Sequence, residues 1–380
     1  MNQICARCLM DTSEPDIRFD SNGYCNHCTN YLALYRQVQE AAADPNTIDS
    51  FFNYIRSRGK KSPYDCIVAL SGGTDSCYVA LLCKKYGLRT LLVHFDNGWN
   101  TPIAENNIQK VIEYTGFDFF RYRIEEEMFK KLQIAFLKAS VPDVELPTDA
   151  AIPGALYEVA EKNKVRSILL GCNYHVEGIL PWSWQYDARD VRYLKGVYHT
   201  YYANRDLKNF PYKSVFKEIQ LVLFKGIKMY YPLNYTAYDR SEAAAQLEQI
   251  GWQRYGGVHH ESAYTKIVQS YILPVKFGID YRRIHLSIKV LQGKLSRDEA
   301  LALLRKSPYE DKENEILIEE VCKRFGLTRR EFDELMKLPP KTYKDYPNSA
   351  ALLSLIHRLR RLAKAMARVF FRDKIASVGD

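Results

Sequence analysis

Tyr64-Asp65-Cys66-Ile67-Val68-Ala69-Leu70-Ser71-Gly72-Gly73-Thr74-Asp75-Ser76 decides how the chain folds. Its first seven residues are a short, mostly apolar run, the mark of a buried strand. Two glycines and a cluster of hydroxyls follow, then a helical stretch from Cys77 to Tyr86 that stops at Gly87. Working outward, Arg89 to Phe95 reads as a second buried strand, 101–115 as a helix ending at Gly116, and Phe117 to Ile124 as a third strand. Residues 153–163 read as a helix with Pro153 in its first turn, and Arg166 to Gly171 as a fourth strand. This alternation predicts an α/β protein with a parallel twisted sheet and helices on both faces. Helices are expected over 31–58, interrupted at Asp44-Pro45-Asn46, over Asp239 to Gly251, and over 296–338, where Thr328-x-x-Glu331 forms a capping box.

The loop between the first strand and its helix is neither a Walker loop nor a G-x-G-x-x-G fingerprint. Glycines at 72 and 73 remove side chains, so the backbone can wrap an anion. The N–H groups and the positive helix end are then expected to face phosphates. The Ser71, Thr74 and Ser76 hydroxyls add donors. Asp75 is an odd residue in an anion cradle unless Mg²⁺ bridges it to the phosphates.

Nine cysteines are present, and four of them stand as Cys5-x2-Cys8 and Cys25-x2-Cys28 with sixteen residues between the pairs. That spacing suits a four-thiolate Zn²⁺ site, tetrahedral and closed, and therefore structural. Disulfides or an iron–sulfur cluster are the alternatives, and His27 is a weaker ligand candidate. The other five, Cys66, Cys77, Cys83, Cys172 and Cys322, read as buried small hydrophobes. The resulting partition is a zinc-ribbon-like knuckle over 1–30, a helical linker over 31–60, a nucleotide domain over 61–260 with an aromatic-rich insertion at 178–235, and a helical region over 261–380. The insertion reads equally as packed helices or as a wall for a polar, ring-shaped substrate.

The 380 residues carry a net charge of +9, and residues 351–380 hold seven Lys/Arg against two Asp. Charge is thus as compatible with anionic small substrates as with nucleic acid, and no nucleic-acid partner is expected. Within a basic helix expected over 350–374, Leu352, Leu355, Leu359, Leu362, Met366 and Val369 form one apolar stripe. Docking on the body or on a second subunit, making a homo-oligomer, is the expected use; contact with an anionic membrane surface is the minority alternative. No run of about 18 apolar residues occurs, and the N-terminus lacks signal-peptide features, which leads to a cytoplasmic expectation.

Ser71 to Ser76 resembles the SGGxDS signature of the PP-loop ATP pyrophosphatases, which split ATP into AMP and pyrophosphate. The resemblance implies adenine contacts from His94, Phe95 and Asp96 at the end of the second strand. It also implies closure by the segment Gly171-Cys172-Asn173-Tyr174-His175-Val176-Glu177 after the fourth.

A closer resemblance spans nearly the whole chain. It rests on Cys5-x2-Cys8-Leu9-Met10-Asp11-Thr12-Ser13, on Gly256-Gly257-Val258-His259-His260-Glu261-Ser262, and on Lys276-Phe277-Gly278-Ile279-Asp280-Tyr281-Arg282-Arg283-Ile284-His285-Leu286-Ser287. These residues are similar to those of the N-acetyl sugar amidotransferases of bacterial surface-polysaccharide (lipopolysaccharide O-antigen) biosynthesis. The resemblance implies an AMP-forming ligase that turns the acetamido group of a nucleotide-linked sugar into an acetamidino group. Its ammonia would come from a separate glutaminase subunit, since no cysteine here sits in a glutaminase setting.

For that chemistry Asp75, Ser76, Lys276, His260 and Glu261 are the expected catalytic residues, with His259 a further proton-transfer candidate. Ser71 to Ser76, His94, Phe95, Asp96, Gly171 and Cys172 are expected to bind ATP. Asp149, His175, Glu177, Arg282 and Arg283 are expected to bind the sugar substrate, Thr148-Asp149 lying on a fixed loop. A tRNA-thiolating PP-loop enzyme, with Cys172 as its sulfur carrier, is the main rival; a catalytically dead scaffold is the lesser one.

Overall fold

The computed structural model describes residues 3–203, 207–255, 260–308 and 311–359. Five strands form one parallel sheet in the order β3-β2-β1-β4-β5. They are β1 (Cys66–Ala69), β2 (Thr90–Asp96), β3 (Asp118–Arg123), β4 (Ser167–Leu169) and β5 (Lys228–Tyr230). Alternation along the strands divides the core. Cys66, Val68 and Leu92 pack with the helices Pro45–Gly59, Thr74–Lys85, Pro102–Thr115 and Arg240–Glu248. Ile67, Leu91, Val93 and Ile168 face the other way, onto the helix Leu146–Lys162. Both faces are therefore covered, as a parallel sheet requires.

The first four strands and the helices at Thr74–Lys85, Pro102–Thr115 and Arg240–Glu248 stand where the sequence pattern put them. Asp239 caps the last of these, accepting from Ser241 and Glu242 N–H groups, and Thr328 and Glu331 form the capping box. Three regions differ from expectation. The helix expected to start at Pro153 starts at Leu146, so Pro153 lies inside it, and Thr148-Asp149 is helix rather than loop. Pro147 at the first turn supplies the start signal that Pro153 was taken for. The helix Glu126–Ala139 and strand β5 are not among the expected elements, although Glu126 and Glu127 in the first turn and Lys138 in the last are helix signals.

The aromatic insertion is mainly packed structure. Trp184, Tyr186, Tyr193 and Tyr198 are buried in a large core that also takes in the cysteine quartet and the helices after residue 263. Among its described residues, the segment from Ile179 to Gln185 and Met229 of β5 reach the cavity described below. The expected C-terminal helix is present over 350–359, and its remainder to 374 lies outside the described residues, as do Gly256 to His259. Among the described residues, no helix is long and apolar enough to cross a membrane.

Candidate active site

Going out from β1 the chain passes to β2 and β3 on one side, and later to β4 and β5 on the other. The loops after β1 and β4 diverge at this switch point, where open parallel sheets bind ligands. A cavity of about 540 Å³ opens there, a size ordinary for a small-molecule site. Ser71, Gly73, Asp75 and Ser76 of the glycine loop line it, with His94 and Phe95 from β2, Gly171 and Cys172 after β4, and Glu177.

The loop needs its glycines for steric reasons. Gly72 has φ +87°, and a Cβ there would lie 2.6 Å from the Ala104 carbonyl oxygen. Gly171 passes so close that a Cβ would sit 2.6 Å from Ser76 N. The loop's donors are not all turned to the cavity. Ser71 N donates to Ser76 Oγ at 3.1 Å and Gly73 N to Ser71 Oγ at 3.2 Å. Thr74 N donates at 3.1 Å to the hydroxyl of Tyr255, a lining residue, and Thr74 is buried. The helix Thr74–Lys85 has no side-chain cap at its start.

Asp75 accepts from the Tyr238 hydroxyl and lies 3.7 Å from Arg240 Nε. Sequence reasoning missed Arg240, the one Lys or Arg that lines the cavity among the described residues. Its signal was its place one residue after the helix cap Asp239. Glu261, expected as catalytic, does reach the loop: Ser71 Oγ donates to its Oε1 at 3.1 Å. Thr101 N donates to the Glu261 carbonyl and Ala263 N to that of Trp99, so a short antiparallel pairing with the chain after β2 holds it there. His260 is the next residue but is not among the cavity's walls, and His259 lies outside the described residues.

His94 is buried, its Nδ1 donating to the Leu70 carbonyl at 2.7 Å and its Nε2 accepting from Asn100 at 2.6 Å. Burial lowers its pKa. Asp96 does not line the cavity. It turns to Arg121 at 3.1 Å and Arg123 at 3.6 Å, because β3 places those cations beside the strand end. His175 is likewise outside the cavity walls. It packs edge-on to Tyr35 and Tyr238, and burial pulls its pKa down to about 4.

At the cavity's far end Asp149 accepts from Gln185 Nε2 at 2.6 Å, Glu145 from Thr265 Oγ1 at 2.6 Å, and Asp143 from the Tyr193 hydroxyl at 2.8 Å. Burial pushes the Asp143 carboxyl up to about 6. Tyr281, Ile284 and His285 form the facing wall. With Asp75, Glu177 and Glu261, six carboxylates and one guanidinium line the cavity among the described residues.

The three cations expected here are elsewhere. Lys276 ends a π-helical stretch, Val268–Phe277, which shows Val268, Gln269 and Leu273 to the cavity; the Lys276 ammonium donates instead to the Leu335 carbonyl. Arg282 pairs with Asp280 at 2.7 Å and caps carbonyls ending the helix Arg297–Arg305. Arg283 pairs with buried Asp11 at 2.8 Å and donates to the Leu9 carbonyl.

That last contact joins the cysteine quartet to the cavity. The four Sγ atoms lie within 4.8 Å of one another, with Cys5–Cys28 at 3.7 Å and Cys8–Cys25 at 3.6 Å. Zn–S bonds of about 2.3 Å imply tetrahedral edges of about 3.8 Å, so the set fits a Zn²⁺ ion. Arg7 reaches Cys28 Sγ at 3.2 Å, which favours the thiolate, and His27 is taken by Glu14 at 2.6 Å rather than turned to the sulfurs. Leu9 N donates to Ser287 Oγ, and Arg297 Nη2 to the Cys5 carbonyl. The knuckle thus grips one side of the helix Arg282–Leu291, whose other side carries Ile284 and His285 into the cavity. Of the five lone cysteines only Cys172 is exposed, in the cavity wall; the others are buried as expected.

Residues 261–361 match the family described as LPS biosynthesis protein WbpG-like, C-terminal domain. Over 105 residues the chain is 30% identical to the tRNA(Ile)-lysidine synthase of Thermus thermophilus, a match covering 27% of this chain and 19% of that protein. The chain thus spans about a fifth of the length of the curated relatives it matches. Among solved structures it is similar to the NMN synthetase of Francisella tularensis, with a TM-score of 0.35 and 14% identity over 79% of this chain and 97% of that one. It is also similar to the U34-tRNA thiolase NcsA of Methanococcus maripaludis, with a TM-score of 0.33 and 14% identity over 80% and 89%. The chain is therefore a parallel-sheet protein whose residues 261–361 are similar to the WbpG-like C-terminal domain of LPS biosynthesis proteins.

Proposed function

We propose that the chain is an ATP-using, AMP-forming amidotransferase that converts an acetamido group of a nucleotide-linked sugar into an acetamidino group. The observation that carries this reading is the contact between Ser71 and Glu261. It joins the nucleotide loop to the first residue of the domain matched to LPS biosynthesis proteins.

An amide oxygen is a poor leaving group until it is phosphorylated. In the proposed reaction the acetamido oxygen attacks the α-phosphorus of ATP and pyrophosphate leaves. Ammonia then attacks the imidate carbon and gives up a proton, and AMP departs with the oxygen, leaving the amidine. Ser71, Ser76 and the open helix start would hold the phosphates, and Arg240 would meet the charge of the departing pyrophosphate. Asp75 would hold Mg²⁺, which would neutralise phosphate charge. His94 and Phe95 would bound the adenine. At the far end Glu145 and Asp149 suit a partner rich in hydroxyls, because carboxylates accept strongly from O–H groups. Glu261 would take the ammonia proton. Zn²⁺ on the four cysteines would be structural. A separate glutaminase would supply the ammonia.

Incubation with Mg-ATP, ammonium and acetamido nucleotide sugars tests the reading. Mass spectrometry should find a sugar lighter by about one dalton, the exchange of O for NH, together with AMP. A second reading, tRNA modification, draws on exposed Cys172 and on the similarity to the tRNA(Ile)-lysidine synthase. Pyrophosphate release that requires tRNA and is abolished by Cys172→Ser would replace the first reading with it.

A further inference from the structure

The turn before the helix Arg240–Glu248 brings two side chains to one carboxylate. Asp239 is extended, with φ −120° and ψ 123°, so its side chain leaves on the side opposite to those of its two neighbours. Asp239 caps the helix and pairs with Lys294 at 2.7 Å. Tyr238 and Arg240 both turn to Asp75. The Tyr238 hydroxyl donates to Asp75 Oδ1, and Arg240 Nε lies 3.7 Å from Asp75 Oδ2. Ala243, Ala244 and Leu247 share a core with Cys77 and Ala80, which fixes this helix to the one that carries Asp75.

The two partners of Asp75 differ in what they reach. Arg240 lines the cavity, as Asp75 does. Tyr238 is 5% exposed and is not among the cavity's walls. Its ring packs on Tyr78, with centroids 5.7 Å apart, and on His175 at 5.8 Å. The hydroxyl therefore acts on a bound ligand only through Asp75. A phenol suits that place, because it donates a hydrogen bond without bringing a charge. It can fix the plane of the carboxylate and leave the negative charge to a metal ion. Carboxylates that hold metals are commonly held in turn by such a donor.

We propose that Tyr238 is a positioning residue for Asp75, keeping its carboxylate in the orientation that receives the Mg²⁺ of a bound nucleotide. The inference rests on the reading of the cavity as a Mg-ATP site and is independent of the substrate that ATP activates.

Tyr238→Phe removes the hydroxyl and keeps the ring between its neighbours, and thermal melting checks that the fold is retained. Titration calorimetry then measures ATP binding at a series of Mg²⁺ concentrations and in EDTA. The Mg²⁺ concentration that half-restores tight binding should rise roughly tenfold or more in Tyr238→Phe, while binding in EDTA should stay as in the parent chain. In an Asp75→Asn background the same substitution should add less than about twofold, since its effect runs through that carboxylate. An unchanged Mg²⁺ requirement in Tyr238→Phe would overturn the proposal. So would an equal loss of binding in EDTA, which would make Tyr238 a shaper of the nucleotide pocket, or a tenfold effect that persists in Asp75→Asn. A parent chain that binds no ATP at any Mg²⁺ concentration would sink the nucleotide reading and this inference with it, a result distinct from a parent that binds Mg-ATP and is indifferent to Tyr238.

Discussion

The glycine loop Ser71–Ser76 and the segment Lys276–Ser287 both stood out in the sequence as chemistry-bearing, and the fold uses them in opposite ways. The loop lies at the sheet's switch point with four of its six residues on the cavity. The second segment turns its three cations away, to Leu335, to Asp280, and to Asp11 with Leu9. The difference follows from what each residue type can do. Glycine at φ +87° under a neighbouring carbonyl has almost one explanation, close approach of backbone. A long cationic side chain has many, because any carboxylate or helix-end carbonyl within its reach will hold it. The part of Asp280–Ser287 that does face the cavity is Tyr281, Ile284 and His285, the positions that flank the two arginines.

The largest expected effect strikes the loop end. Asp75→Asn should lower ATP-dependent pyrophosphate release by roughly 10²-fold or more, the scale on which a charge-stabilising group in an active site is felt. Arg240→Ala should fall in the same range, and Lys276→Met should change turnover by less than about twofold. Continuous pyrophosphate detection measures all three. A large loss in Lys276→Met with an intact Asp75→Asn enzyme would reverse the contrast drawn here.

Arg283 should reveal itself through stability. Arg283→Ala leaves the Asp11 carboxylate, 2% exposed, without its guanidinium. Removing one partner of a buried pair costs about 3–5 kcal/mol; the Arg283 side chain is 20% exposed, so about 2–3 kcal/mol is expected after discounting for solvent. Urea unfolding measures it, and faster release of Zn²⁺ to a chromogenic chelator should accompany it. Arg283→Lys should recover part of both. If Arg283→Ala kept full stability and metal retention, the knuckle would not be clamped as described.

The sequence carried the sheet better than the cavity, for reasons visible in individual residues. Cys66–Val68 and Leu91–Val93 are buried on both faces and read as continuous apolar runs. The cysteine quartet was legible as a candidate metal site because two x2 pairs can bring four sulfurs together. Asp143, Glu145, Gln185 and Thr265 were not legible as a site, since they come from three separate stretches that only the tertiary fold brings together. His175 and Asp96 were misplaced by a residue or two of geometry, one turning onto Tyr238 and the other onto Arg121.

Asp143 offers a pH test of that hidden end. In the folded chain its carboxyl keeps a proton up to about 6, whereas the unfolded chain releases it near 3.8. Between these values the folded state holds the extra proton, so this group's contribution to stability declines as pH rises, by at most about 3 kcal/mol. His175, held down to about 4 against an ordinary 6.5, acts with the opposite sign over an overlapping window, its contribution growing as pH rises. Asp143→Asn keeps an acceptor for Tyr193 and removes the declining term. Its stability should therefore climb more steeply from pH 4 to 7 than that of the parent chain, as read by denaturant midpoints. Parallel profiles would mean that Asp143 is ionised throughout.

The smallest effect concerns the latch over the loop. Thr74 N, one of the donors a phosphate would use, is already occupied by the Tyr255 hydroxyl, and Tyr255 also lines the cavity. A phosphate oxygen at that N–H must displace the phenol. A neutral hydrogen bond contributes about 0.5–1.5 kcal/mol net, so Tyr255→Phe should tighten nucleotide binding by only a few-fold, with turnover little changed. Titration calorimetry with Mg-ATP reads this directly. The direction matters more than the size. Weaker binding in Tyr255→Phe would make the hydroxyl a ligand of the nucleotide instead of its competitor, and the loop would then be a cradle already set in the shape that binds.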